Sequence, residues 1–495
     1  MHKGIAAVTV ASVLGIAPAA LAETYSTVDT IQDANGVTHV RQDLTYKGLQ
    51  VLGGDRVVHE GAVTPVSQTL TAPLPANVTP QVSRDTATRA GMQAARVRGG
   101  TNGEIRQDAK PQLVIEARTG EPRLAYLTRT AGTQADGTPS LIEATVDAKT
   151  GEVLMAVQQI ETDAGTGRTL YAGTVTTRFD TTRSGSSYTL TDPLRGNTRT
   201  TDAANKTDLC IGTFCVRRAP QNPFTDADNV WGSGTTADRA TVAADVHYGV
   251  ATTWDYYKNT FGRTGIAGDG KGSYSRVHYG SGYDNAFWDD SCFCMTYGDG
   301  ASFGPLVSLD VTGHEMSHGV TSRTAALTYS GESGGLNEST SDIFGTLVEF
   351  YAANPSDPGD YLIGEKPGGA GGPLRYMDQP SKDGSSADCW STAVKNLDVH
   401  YSSGVGNHFF YLLAVGSGPS AFGNSPTCNG STVTGIGNAA AGAIWYRALT
   451  TYMTSSTDFH GARVASLNAA GDLYGAGSAQ YNAVNAAWAG VGVTA

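Results

Sequence analysis

Cysteine is missing from the first 209 residues of this 495-residue chain; the six present run from Cys210 to Cys428. The two halves therefore read as parts with different histories. No C-x-x-C pair occurs, which leaves a cysteine-rich metal site without support. Charge is also scarce: Asp, Glu, Lys and Arg make up 16% of residues, against 40% hydrophobic residues and 62 glycines. That balance excludes a disordered chain and suits a folded, loop-rich one. Positive charge is the scarcer sign, with a net charge of −12 and no basic cluster. Nucleic acid is thus excluded as a partner. Beyond the first residues no apolar run is long enough to span a membrane, so no membrane partner is expected.

What is there begins with MHKGIAAVTVASVLGIAPAALAETYS. A lysine, a short apolar run broken by Pro18, and Ala20-Leu21-Ala22 form a secretory signal with a small-x-small cleavage site. Residues 1–22 are expected to be removed and the product to be secreted into the extracellular medium. Even-numbered cysteines in a secreted chain suggest disulfides. Closeness favours Cys210 with Cys215, which leaves Cys389 with Cys428 as a long-range pair. Cys292 and Cys294 then close a very small ring or pair elsewhere.

Residues 23–70 alternate apolar and polar side chains around a Gly-Gly turn, the pattern of paired strands. Residues 85–98 read as an amphipathic helix. VIEARTGEPRLAYLT (114–128) and ATVDAKTGEVLMAVQ (144–158) are weak repeats of a hairpin, with Gly120 and Gly151 placed for positive φ in the turns. Residues 75–160 thus form a second small α+β domain. QQIETDAGTGRTL follows as a polar link that reads as exposed and cleavable. Residues 165–325 read as a β-rich lobe ending in a histidine-bearing helix, and 326–495 as an α-helical lobe.

The stretch HEMSHGVTSRTAALTYSGESGGLNESTSD (314–342) carries the chemistry. Residues four apart on a helix are offset by roughly 40°, so His314 and His318 face one way and can share a zinc ion. Glu315 points aside from that axis, where a general base acting on water is wanted. Glu338, in the next helical pattern, is the third ligand. Asp342, four residues on, can accept the other ring N–H of a liganding histidine. Tyr329, between the two helices, and His400 are candidates to stabilise an oxyanion, with His408 competing.

These residues resemble the thermolysin family of secreted zinc metallopeptidases, and the resemblance covers nearly the whole chain. Besides HEMSH and LNESTSDIFGTLVEF, it rests on DNAFWDD (284–290), TYGDG (296–300), GGPLRYMD (371–378), DVHYSSGVGNHFFYLLA (398–414) and LTYKGLQVLGGDRVVH (44–59). It implies two small prosegment domains before a two-lobed α+β catalytic unit with zinc in the cleft. It also implies an endopeptidase of protein and peptide substrates made as a zymogen, its prosegment acting as intramolecular chaperone and inhibitor. His314, His318 and Glu338 would bind zinc, and Glu315 would be the base. Tyr329 and His400 would stabilise the oxyanion, with Asp398 orienting His400 and His408 left to packing. Asn285 and the Ala286 backbone would hold the substrate chain, and Arg375 would bind a substrate carbonyl. Phe303, Leu306, Val311, Ile363 and Leu374 would wall an apolar pocket for the residue after the cut. Asp310, Glu349, Asp360 and Glu365 would hold calcium, with Asp357 the rival of Asp360. Two departures stand out: Gly313 replaces the usual larger residue before His314, and Cys292-x-Cys294 sits beside the substrate strand.

Overall fold

A computed structural model describes residues 23–494 apart from 33–35, 61–65, 99–100, 135–138, 159–160 and 212–213. The leader at 1–22 lies outside the described residues, as do the side chains of Cys210 and Cys215. The chain divides into two compact units, with the division at 159/160.

In the first unit one nine-stranded sheet runs through both segments expected as prosegment domains. Strands β1 (Glu23–Gln32), β2 (Thr38–Tyr46), β3 (Leu49–Leu52), β4 (Arg56–Glu60) and β5 (Val66–Gln68) make the first half. Helix α1 (Arg84–Arg98) precedes β6 (Thr101–Glu116), β7 (Arg123–Gln134), β8 (Pro139–Asp147) and β9 (Val153–Gln158). The halves join where β3 pairs in parallel with β6, Val51 opposite Ile115. Gly120 and Gly151 take positive φ (105° and 81°) in the turns before β7 and β9, as their hairpins require.

The second unit opens with strands, not with a free linker. Strand β10 (Glu161–Ala164) pairs with Asp180–Ser184, and β11 (Thr166–Arg168) pairs with two further strands. The region expected as strand-rich also contains α2 (Arg239–Phe261), a 23-residue helix. Asp238 caps its start and Gly262, at φ 72°, ends it. Its valines, threonines and aromatics read as strand, but 16 of its residues are buried. A helix buried on nearly all sides shows no amphipathic period.

Helices α3 (Leu309–Ser322) and α4 (Gly331–Ala352) follow and form the frame of the site. Both are packed through glycine. A Cβ on Gly249 of α2 would stand 2.0 Å from Thr312 Oγ1, and one on Gly313 would stand 3.0 Å from the Gly345 Cα of α4. The α3 and α4 backbones thus meet at Gly313, where a side chain would press on Gly345. The core around them is closed by Phe344, Phe409, Phe410, Trp445 and Trp488. Two disulfides are described: Cys389–Cys428, and Cys292–Cys294, which closes the small ring. No helix among the described residues is long and apolar enough to cross a membrane.

Candidate active site

One turn of α3 separates His314 from His318, and their Nε2 atoms stand 2.9 Å apart. Each Nδ1 is already committed: His314 to Asp342 Oδ1 at 2.8 Å, His318 to Asn337 Oδ1 at 2.7 Å. Those acceptors place the ring protons on Nδ1 and turn both Nε2 lone pairs inward. A shared proton or a cation has to lie between them. Glu338 completes the group, with carboxylate oxygens 3.4 Å from each Nε2. Zinc with ligand bonds of about 2.0–2.1 Å sets tetrahedral donors about 3.3 Å apart, so this donor set fits zinc. Electrostatics agree. Burial resists charge on His318, yet the Glu338 carboxylate pushes it up to about 9. Burial would raise Glu338, yet the histidines hold it well below the usual carboxylate range.

The supporting carboxylate, Asp342, is fully buried and has three partners. It receives His314 Nδ1, Arg375 (Nε at 2.8 Å and Nη2 at 2.6 Å) and Asn407 Nδ2 at 2.8 Å. Despite burial, Arg375 and His314 hold it well below its ordinary range. It is a fixed anion that orients both the histidine and the arginine.

Glu315 is 5% exposed, and its Oε2 has no hydrogen-bond partner among the described residues. Burial raises its pKa, while His314 and His318 oppose the rise. A buried carboxylate oxygen left free beside a cation site is placed to take a proton. Tyr329, 52% exposed, donates its hydroxyl to Glu338 Oε1 and lies 3.4 Å from His400 Nε2. Asp398 caps the turn Val399–Ser402 and accepts His400 Nδ1 at 2.7 Å. His408 instead meets Asp388 O and Ser425 Oγ, a packing role.

His314, Glu315, His318, Tyr329, Asn337, Glu338 and His400 line a cleft of about 510 Å³. Asn285, Ala286, Leu306, Val311, Ile363, Leu374 and Arg375 line it as expected, together with Trp288 and Asp290. Phe303 does not; it is 37% exposed and outside the lining. The strand Ala286–Asp289 pairs on one side with Cys294–Tyr297 and forms the end of its sheet.

The family described as thermolysin metallopeptidase matches in two models, the catalytic domain at 164–322 and the α-helical domain at 325–493. A fungalysin/thermolysin propeptide motif matches 23–70. Thermolysin of Alicyclobacillus acidocaldarius is 35% identical over 500 residues, 95% of this chain and 86% of that protein. The chain belongs to the thermolysin metallopeptidase family. The transglutaminase-activating metalloprotease of Streptomyces mobaraensis is 51% identical over 475 residues, 94% of this chain. Bacillolysin of Bacillus cereus is 44% identical over 338 residues, 66% of this chain. The chain spans 60% and 55% of the length of these last two relatives.

In this thermolysin-family chain α3 and α4 carry a second charge cluster. Carboxylate oxygens of Asp310, Glu349 and Glu365 converge within 4.8 Å. Asp357 is fully buried beside them, and its charge helps raise Glu349 and Glu365. Burial first, then Asp310, Asp357 and Glu365, push Glu349 up to about 11. Glu349 Oε1 and Glu365 Oε2 have no hydrogen-bond partner among the described residues. Both oxygens of Asp357 are likewise without a hydrogen-bond partner among the described residues, and buried carboxylates left this way on Glu349, Asp357 and Glu365 fit a hard cation such as calcium. Asp360 is not among the converging donors. Its carboxylate accepts the N–H of Leu362, and its own N–H donates to Glu349 Oε2 at 3.1 Å. Asp357, its rival, is not among them either, though it is fully buried whereas Asp360 is part-exposed.

Sequence reasoning passed over Asn337 and Asn407. Each is a buried amide on a helix, reaching His318 and Asp342 respectively. Their signal was polarity: an amide directly before Glu338, and an amide inside the apolar run GVGNHFFYLLA.

Proposed function

We propose that this chain is a secreted zinc endopeptidase made as a zymogen, which hydrolyses peptide bonds before bulky apolar residues. One observation carries the reading: an orphaned oxygen of Glu315 beside the inward-facing donors of His314, His318 and Glu338. Bound zinc would supply a polarised scissile carbonyl and a more acidic water. Glu315 takes the proton of the attacking water and passes it to the leaving nitrogen. Its raised pKa makes it a stronger base than an exposed carboxylate. Tyr329 donates its hydroxyl to the oxygen where negative charge gathers, and so does His400 when protonated, with Asp398 steadying the imidazolium. Arg375 keeps Nη1 outside its pair with Asp342, a donor for a substrate carbonyl. The free edge of Ala286–Asp289, with Asn285 beside it, offers strand pairing to an extended peptide. Leu306, Val311, Ile363 and Leu374 form an apolar wall that favours Leu or Phe after the cut.

Cut sites in a casein-derived peptide mixture, mapped by mass spectrometry with the processed protein, test this. Cuts should precede Leu or Phe, stop with a zinc chelator, and drop by about 10²–10⁴-fold in Glu315→Ala. No cutting by folded, zinc-loaded protein would overturn it.

The first unit is read as a prosegment that assists folding and inhibits the peptidase until it is cut. Pairing of 161–164 and 166–168 into the second unit supports processing on the N-terminal side of these strands. If the second unit, expressed without 23–160, refolded as fast and as fully, the chaperone part of this reading would fall. Secretion rests on the N-terminal leader; a tag retained in the cytoplasm of an expressing bacterium would contradict it.

A further inference from the structure

The cleft runs along α3. Leu306 and Val311 lie at its N-terminal end, the histidines in the middle, and Trp288, Asp290 and Ser322 at its C-terminal end. From Val311 to Ser322 the helix climbs about 16 Å. The far end is built differently from the apolar end. Asp290 Oδ1 accepts the Trp288 indole N–H at 2.9 Å and the Ser322 hydroxyl at 2.9 Å. Arg323 Nη1 reaches Oδ1 at 2.9 Å and Oδ2 at 2.7 Å of the same carboxylate. The loop carrying Asp290 is also fastened from the other side: Arg218 bonds Asp289 and, at 2.5 Å, Ser291 Oγ. The Cys292–Cys294 ring holds Phe293 between them at φ 52°. That places the Phe293 ring edge-on to Trp288 at 5.2 Å and beneath the Arg323 guanidinium at 5.3 Å. Behind the indole, a Cβ on Gly319 would stand 3.2 Å from Trp288 Cη2.

The indole is thus held by a hydrogen bond, a ring edge and a helix backbone, and Asp290 links all three supports. We infer that Asp290 is a positioning residue. By fixing the Trp288 indole as a wall, it sets the preference for bulky apolar or aromatic side chains on the substrate residues before the scissile bond. This rests on the peptidase reading above. Arg323 neutralises Asp290, so the wall selects by shape and apolar contact rather than by charge.

The test compares the processed wild type with Asp290→Ala and Asp290→Asn on peptides of one length. These peptides carry Phe or Gly at the first and second positions before the cut. In Asp290→Ala the Phe-over-Gly preference in kcat/KM should fall about tenfold, through KM rather than kcat. Asp290→Asn, whose amide oxygen still accepts the indole N–H, should regain most of it. Acrylamide quenching of the Trp288 emission, isolated by subtracting a Trp288→Phe variant, should rise in Asp290→Ala and return in Asp290→Asn. An unchanged preference, or an equal loss on Phe and Gly peptides, would overturn the inference while leaving the peptidase reading intact. No cutting by the wild type would remove both, and unchanged quenching would separately dissolve the tie between Asp290 and Trp288.

Discussion

The same two helices carry two clusters of charge, and they are built on opposite plans. Around His314, His318 and Glu338, Asp342 is met by His314, Arg375 and Asn407, and Asn337 fixes His318. Around Asp310, Glu349, Asp357 and Glu365, like charges crowd together and oxygens are left without donors. The first cluster is organised by its own hydrogen bonds. The second crowds four carboxyl groups together, and Lys366 lies 3.3 Å from Asp357. A site that does chemistry has to keep its geometry while substrates come and go. A site that only fastens helices can rely on an ion for its stability.

The largest expected effect tests the first plan. Asp342→Ala removes the anion that faces buried Arg375 and His314. It should cost about 3–5 kcal/mol, as loss of one partner of a buried pair does, and should weaken zinc binding. Urea unfolding and metal analysis of the purified variant would show both. Retention of wild-type stability would break the comparison.

Calcium removal tests the second. If the cluster holds calcium, the ion at one hundred times its dissociation constant adds about 2.7 kcal/mol to stability, and chelation should lower the thermal midpoint measurably. The pH dependence should differ as well. In the ion-free chain Glu349, raised to about 11 from an ordinary 4.5, keeps a proton that the unfolded chain releases. Native protein then binds more protons than unfolded protein between those values, so ion-free stability falls as pH rises from 4.5. With calcium bound, the carboxylates are ionised in both states and that slope should disappear. Thermal unfolding at pH 5 and pH 8, with and without chelator, decides it; equal slopes would count against a cation site.

The smallest expected effect sharpens the contrast. Asn337→Ala leaves the His314, His318 and Glu338 donors in place but frees the His318 ring. Zinc affinity should fall about 10–100-fold, with little change in unfolding, measured by competition with a fluorescent chelator.

The candidate site was legible because its spacing is local: the two histidines are four positions apart, as are Glu338 and Asp342, with one helix face for each pair. Asn407 was less legible, since it reaches Asp342 from a third helix across 65 positions. Spacing does not tell Asp357 from Asp360; that Asp357 is the fully buried one appears only in the folded chain. Helix α2 was hidden by the burial that stabilises it. Phe303 was assigned by analogy to a pocket wall, and the loop that carries it faces outward.

The glycine contact between α3 and α4 has a consequence for metal choice. Where two backbones touch, their separation cannot drift as side chains repack. The histidines and Glu338 ride on those backbones, so with a metal bound the gap between them would act as a gauge of ionic radius. A larger soft ion such as cadmium would have to part helices already in contact, whereas zinc would not. We expect Gly313→Ala, whose Cβ would press on Gly345, to widen the gauge and move the relative affinity from zinc toward cadmium. Competition dialysis would detect the change, and an unaltered ratio would mean that the ligands, not the crossing, set the size. On this view a residue with no side chain discriminates between metals it never touches.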